Sequence, residues 1–187
     1  MPVLIHNLLH WVRTVVFVLV GTTLTACGHT ARHSDRSNAS ALAPNLILIS
    51  IDGFRADYIE RGFAPTLSRL AAQGVHADAL RPAFPSLTFP NHYTLVTGLY
   101  PDHHGIVHNH MNDPRTGADY VYNMPDTTMD PHWWGGEPIW VRAERQGIRT
   151  ATMYWPGSDV AIDGVRPSHW ERFDTHKSPL QRVDTLL

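Results

Sequence analysis

Leu46-Ile47-Leu48-Ile49-Ser50-Ile51, followed at once by Asp52-Gly53, decides how this chain is expected to fold. A continuous apolar run bounded by Asn45 and an Asp-Gly pair suits a strand buried on both faces, which has no solvent side on which to alternate polar residues. Working outward, Pro65 opens a predicted helix carrying Leu67, Leu70 and Ala71, and Gly74 closes it. The segment 75–80 suits a second strand, and 91–96 a second helix. Pro and Gly punctuation from Gly98 to Gly136 predicts a long irregular segment, a feature often tied to function. The segment 138–146 reads as a helix stopped by Gly147, and 148–154 as a strand running into Trp155-Pro156-Gly157. This β-α-β then α-β alternation predicts an α/β fold, a mostly parallel sheet flanked by helices, with ligands collecting at the carboxyl ends of the strands. Asp52 and Trp155 stand at such ends.

With 187 residues and a net charge of -2, the chain is the size of one modest globular domain. It carries no basic surplus that would recommend a nucleic-acid polymer as partner. The first thirteen residues lack acids and include Arg13, and the apolar run Val15-Val16-Phe17-Val18-Leu19-Val20 then leads through small residues to Leu24-Thr25-Ala26-Cys27. This reads as an export signal, too short to span a bilayer core of about 30 Å as a helix. Its ending resembles the lipobox of bacterial lipoproteins, in which Cys27 is lipidated and becomes the new N-terminus. A single membrane anchor with an incidental cysteine is the plainer alternative. The expected organisation is a signal peptide over 1–27, a small, polar, flexible tether over 28–43 and a catalytic-domain portion over 44–187. The location is the periplasmic side of the cell envelope, with the membrane engaged through the lipid. Cys27 is the sole cysteine, so the body forms no internal disulfide and offers a metal no thiolate. Any metal site must use His, Asp, Glu or hydroxyl oxygen.

Pro85-Ser86-Leu87-Thr88-Phe89-Pro90-Asn91-His92 follows Asp52 by the distance of one βα unit, which suggests a hydroxyl nucleophile facing a metal-bound carboxylate. A threonine hydroxyl is a poor nucleophile at neutral pH and needs an adjacent base or a metal ion. Asp52 is the nearest candidate ligand. Taken singly, Asp52 reads as a turn former and Thr88 as a hydroxyl bonded to backbone; the pair shifts the weight.

Leu48-Ile49-Ser50-Ile51-Asp52-Gly53-Phe54-Arg55, the Thr88 stretch and Gly98-Leu99-Tyr100-Pro101-Asp102-His103-His104-Gly105-Ile106 together resemble the nucleotide pyrophosphatase/phosphodiesterase family of the alkaline phosphatase superfamily. The resemblance runs from Asn45 to the C-terminus. It implies an α/β domain with two zinc ions at the strand ends, one of them bound by Asp52 and the Thr88 oxygen. Thr88 would attack a nucleotide or other phosphodiester, form a nucleotidyl-threonine, and release it to water, the two metals stabilising attacking and leaving oxygens in turn. Asn109, within His108-Asn109-His110, matches a donor to a non-bridging phosphoryl oxygen. Tyr154-Trp155-Pro156-Gly157-Ser158-Asp159 looks like the family's nucleoside-binding loop, placing Trp155, Pro156 and Asp159 at the substrate, and Phe89 matches its base-stacking aromatic. Such a flat slot tolerates any base. Without the resemblance, Trp155 reads as core and Phe89 as packing. His103, His104, His108 and His110 are tempting zinc donors, yet the resemblance puts the zinc histidines further towards the C-terminus and leaves this cluster to order the loop behind Asn109.

The family also requires further Asp and His ligands from the second half of the domain. Pro179-Leu180-Gln181-Arg182-Val183-Asp184-Thr185-Leu186-Leu187 reads as the first turns of an amphipathic helix without cap, Gly stop or polar tail. The expectation is a C-terminally truncated domain that cannot hold both zinc ions, has little or no activity, and leaves apolar faces uncovered. Sulfatases of the superfamily use Cys or Ser in a C/S-x-P-x-R context, which Thr88 with Pro90-Asn91-His92 does not match. A phosphomonoesterase shares metals and intermediate but usually adds an arginine or a third metal; Arg81 is the arginine closest to Thr88 in sequence. A non-catalytic envelope lipoprotein remnant is the reading from a different class.

Overall fold

The structure, a computed structural model, describes residues 45–187. The expected signal peptide with Cys27, and the tether over 28–43, lie outside the described residues. The chain divides into two units, Met1–Leu48 and Ile49–Leu187, and the elements below belong to the second. Among the described residues no helix is long and apolar enough to cross a membrane.

Helix α1, Pro65–Gln73, begins and ends where the sequence places it, with proline in its first turn and the Gly74 N–H donating to the Leu70 carbonyl. Helix α2, Thr88–Thr97, is longer than expected and starts at the candidate nucleophile. Pro90 does not delay it, because the first N–H groups of a helix have no intrahelical acceptor and a third-position proline forfeits nothing. Gly98 ends α2 in the left-handed region, at φ 69°, with its N–H on the Thr94 carbonyl. The segment expected to be irregular holds helix α3, Pro101–His104, and strands β1, His110–Asn112, and β2, Asp119–Val121, paired antiparallel with Met111 opposite Tyr120. Helix α4, Pro125–Thr128, and a 3-10 turn, Pro131–Trp133, follow. Helix α5, Ile139–Arg145, matches its prediction closely.

Strand β3, Ala151–Met153, pairs in parallel with β4, His169–Glu171, setting Thr152 opposite Trp170. Helix α6, Pro179–Leu186, corrects the reading that it lacks a cap: the Ser178 hydroxyl accepts from Gln181 N–H while the Gln181 side chain accepts from Ser178 N–H.

The two expected strands at 46–51 and 75–80 are also corrected. Neither lies in a ladder among the described residues, and Leu46, Ile49 and Val75 are 88%, 76% and 104% exposed. A strand apolar on both faces is stabilised by partners on each edge and cover on each face, and no described residue supplies them.

The core gathers behind α2. Tyr93 and Val96 of α2 meet Ile106, Tyr120 of β2, Trp133, Trp134, Trp140 and Val141 of α5, Val160 and Ile162. Trp134 is central: its ring lies edge-on to Tyr93 at 5.0 Å and to Tyr120 at 6.0 Å, and its Nε1–H donates to the Thr128 carbonyl at 2.7 Å. Buried aromatics of this size dominate core energetics. Gly157 lies so close that a Cβ there would stand 2.7 Å from the Trp134 ring, and its φ is +82°. The candidate nucleoside loop therefore rests directly on the core.

Candidate active site

Thr88 is the first residue of α2, entered from Leu87 in an extended conformation with no side-chain cap. Its Oγ1–H donates to Asp52 Oδ2 at 2.9 Å, 36 residues away in sequence. Asp52 sits at a tight turn in which the Phe54 N–H donates to the Ile51 carbonyl and Gly53 takes φ 67°. The positive end of the α2 dipole lies at the same place, an environment suited to an anionic group.

The hairpin delivers Asn109. The Tyr122 N–H donates to the Asn109 carbonyl at 2.9 Å, and Asn109 Oδ1 accepts from Phe89 N–H at 3.2 Å, satisfying one of the orphan donors of α2. The pairing uses the oxygen of the amide and leaves its NH2 as donor. Asn91 Oδ1 accepts from Ala83 N–H at 3.0 Å and so holds the approach to the helix.

Phe89 is half-buried, edge-on to Tyr122 at 5.6 Å and Tyr120 at 6.4 Å. Trp155 is half-buried too, and its Nε1–H donates to the His92 carbonyl at 3.3 Å. Pro156 is buried. Asp159 accepts from Arg172 Nε at 2.8 Å, so its carboxylate is neutralised by the residue that follows β4. Tyr154, at the mouth of this loop, has φ 61°, a left-handed conformation seldom taken by a bulky residue.

Two residues with a part in this arrangement carry no role in the sequence reading. His92 Nδ1 lies 2.7 Å from the Thr88 carbonyl and its Nε2 lies 3.0 Å from Ser50 Oγ. The available signal was spacing: His92 is one helical turn beyond Thr88, and Ser50 is two residues before Asp52.

The other histidines make local ties. His104 is fully buried; its Nδ1 accepts from Ile106 N–H and its Nε2–H points to Thr94 Oγ1 at 3.0 Å, which donates on to the Pro90 carbonyl. Burial lowers the pKa of His104, so the ring is neutral with both nitrogens engaged. His108 Nδ1 accepts from His110 N–H beside Asn109, and exposed His103 pairs with Asp102.

Residues 46–187 match the sequence model of the family described as type I phosphodiesterase/nucleotide pyrophosphatase. The chain belongs to that family. An uncharacterized pyrophosphatase/phosphodiesterase of Schizosaccharomyces pombe is 44% identical over 94% of this chain and 34% of its own length. Ectonucleotide pyrophosphatase/phosphodiesterase family member 3 of Bos taurus is 44% identical over 77% of this chain and 17% of its own. The chain thus spans about a third or less of the curated relatives it matches. Among solved structures, murine ectonucleotide pyrophosphatase/phosphodiesterase 5 superposes with a TM-score of 0.68 at 35% identity, covering 73% of this chain and 37% of that one. An inactive threonine-to-alanine variant of that murine protein, in complex with AMP, superposes with a TM-score of 0.67 at 34% identity, over 73% of this chain and 36% of its own. The fold is accordingly the alkaline-phosphatase-like α/β fold of the phosphodiesterase family, to which β3 and β4 contribute one parallel pair.

Phosphodiesterases of this superfamily are metallohydrolases, so the donors near Thr88 matter. Asp52 Oδ2 and Thr88 Oγ1, 2.9 Å apart, are two hard oxygens able to face one divalent ion. Among the described residues no group of three or more His, Cys, Asp or Glu side chains assembles for a metal. The pair fits one side of a zinc site and falls short of the roughly three or four protein ligands such a site takes.

Proposed function

We propose that the chain carries the nucleophile side of a nucleotide phosphodiesterase/pyrophosphatase site. The observation that carries this is the 2.9 Å contact between Thr88 Oγ1 and Asp52 Oδ2 at the N-terminus of α2. Asp52 orients the Thr88 hydroxyl by accepting its proton. Thr88 Oγ1 then forms the bond to phosphorus as the bond to the leaving oxygen breaks, giving a nucleotidyl-threonine that water later hydrolyses. The Asn109 NH2 donates to a non-bridging phosphoryl oxygen, held in place because the other end of the amide is anchored on Phe89 N–H. Phe89 and Trp155 frame the base, and Pro156 and Asp159 shape the loop on which Trp155 sits. Asp52 and Thr88 would hold a zinc ion, which would lower the hydroxyl pKa and offset charge on the phosphoryl group. With two donors among the described residues, the chain would bind zinc weakly and turn substrate over little by itself.

The murine relative's AMP complex supports a nucleotide as ligand, and the names of the ectonucleotide relatives support export. The body over 44–187 would be tethered by 28–43 to a lipidated Cys27 on the periplasmic side of the membrane.

The test is hydrolysis of a chromogenic phosphodiester with added zinc, beside Thr88→Ala, Asp52→Asn and a phosphomonoester control. Diester turnover should be low, absent in Thr88→Ala and not matched by the monoester, and weak zinc binding should disappear in Asp52→Asn. Turnover that survives Thr88→Ala would remove Thr88 as nucleophile, and tight stoichiometric zinc binding would overturn the two-donor reading.

A further inference from the structure

Ser50 and Asp52 are two residues apart, whereas Thr88 and His92 are four apart on α2. Two residues of chain reach at most about 7 Å, and four residues of helix advance about 6 Å. Steps that nearly match let two segments meet side chain to side chain at two levels. One level is Thr88 Oγ1 on Asp52 Oδ2 at 2.9 Å, open to solvent; the other is Ser50 Oγ against His92 Nε2 at 3.0 Å, where His92 is only 7% exposed.

The partners dictate how His92 bonds. A carbonyl only accepts, so the 2.7 Å contact to the Thr88 carbonyl requires the proton on Nδ1. A neutral ring then presents a lone pair at Nε2, to which the Ser50 hydroxyl donates. The His92 carbonyl in turn receives the Trp155 indole N–H. One buried residue therefore touches the Asp52 segment, the Thr88 backbone and the substrate loop.

We infer that His92 and Ser50 are positioning residues that hold the Thr88 hydroxyl against Asp52, an inference that rests on Thr88 as nucleophile. Alone, the outer contact joins a threonine with three staggered rotamers to a carboxylate on a glycine turn. The inner contact sets the height of α2 against the 50–52 segment, which selects one Thr88 rotamer. The imidazole takes no part in bond making.

The test uses nuclear magnetic resonance on the full 187-residue chain with Ser50→Ala, His92→Ala and His92→Asn. Imidazole nitrogen shifts should place the His92 proton on Nδ1, and three-bond couplings should show one Thr88 rotamer in the parent protein. Ser50→Ala removes only an exposed residue's hydroxyl, so its thermal midpoint should hold while Thr88 spreads over several rotamers. His92→Asn, whose amide can still donate to the Thr88 carbonyl, should keep more of that order than His92→Ala. A single Thr88 rotamer in both alanine variants would overturn the proposal, whatever the activity. In diester hydrolysis, Ser50→Ala should lower kcat by roughly ten- to a hundredfold with KM unchanged, and an unchanged kcat would also overturn it. If Thr88→Ala leaves turnover intact, the nucleophile assignment fails separately, because the rotamer measurement still decides whether His92 and Ser50 position that side chain.

Discussion

Asn109 uses the two ends of one amide for different purposes. Its oxygen caps α2 from a distant loop, standing in for the side-chain cap that Leu87 cannot provide, and its NH2 is the proposed phosphoryl donor. Asn109→Ala should lose both roles, costing about 1 kcal/mol of stability for the cap and roughly a hundredfold or more in diester kcat for the donor. Asn109→Asp should keep the cap, since a carboxylate is favoured at a helix N-terminus, yet place negative charge where a phosphoryl oxygen must approach. Its thermal midpoint should match or exceed the parent's while turnover is lost; a variant that loses stability as Asn109→Ala does would refute the capping role. At this scale the sequence motifs single out Asp52, Thr88 and Asn109 and the fold brings them together, so their proximity was legible while their chemistry stays with the proposal. His92 was illegible because its work lies in whom it touches, and a buried histidine such as His104 has the same letter and a purely local role.

Among the elements, Glu144 near the end of α5 does most to define the sheet. Its carboxylate accepts from Thr150 Oγ1 and Thr150 N–H, both at 2.7 Å, and from Ser168 N–H and Oγ, both at 2.8 Å, one residue ahead of each parallel strand. The Thr150 hydroxyl, followed by the backbone and Ser168 donors, holds the Glu144 pKa down to about 2. The folded state therefore binds this proton less readily than the unfolded chain. Its stabilising contribution is complete above about pH 4.5 and is lost as pH falls towards about 2. Glu144→Gln, which sets an NH2 against donors, should cost roughly 1–3 kcal/mol near neutrality. Its melting temperature should fall less steeply than the parent's between about pH 5 and about pH 3, and parallel slopes would show that the carboxylate is not the acid-sensitive clamp. The element readings failed where context overrides pattern: the second helix was expected over 91–96, whereas α2 starts at Thr88 and takes in Pro90 where it needs no N–H, and Ser178 caps α6 although the helix was expected to have no cap.

Across the whole molecule, the parallel α/β architecture was legible from the alternation of segments and from the motifs. The missing step was the state of the apolar runs: an unbroken run is a statement about partners, and Leu46 to Ile51 has none among the described residues. Exposed Ile49, Val75, Leu80 and Phe84 leave apolar surface open to water, a condition that promotes association, the more so at a net charge of only -2. The purified chain should bind a hydrophobic dye and scatter light increasingly with concentration. Ile49→Lys combined with Val75→Lys should reduce both signals with little change in melting temperature, because neither side chain is buried. Dye binding and scattering unchanged by the pair would place the sticky surface elsewhere.

Glu144 secures β3 and β4 from their leading ends without involving the residues that join them. The stretch from Tyr154 to Pro167 is thereby relieved of fixing strand register and is held by anchors of its own, Gly157 against the Trp134 ring and the buried Val160 and Ile162, before it lands on Ser168. Lengthening its exposed turn at Asp163-Gly164 costs little, about 0.6 kcal/mol for each doubling of a flexible loop, so insertions there should leave strand register intact. Change is tolerated at that turn alone, while the core-facing part of the stretch ties the candidate nucleoside loop to the helix that carries Thr88.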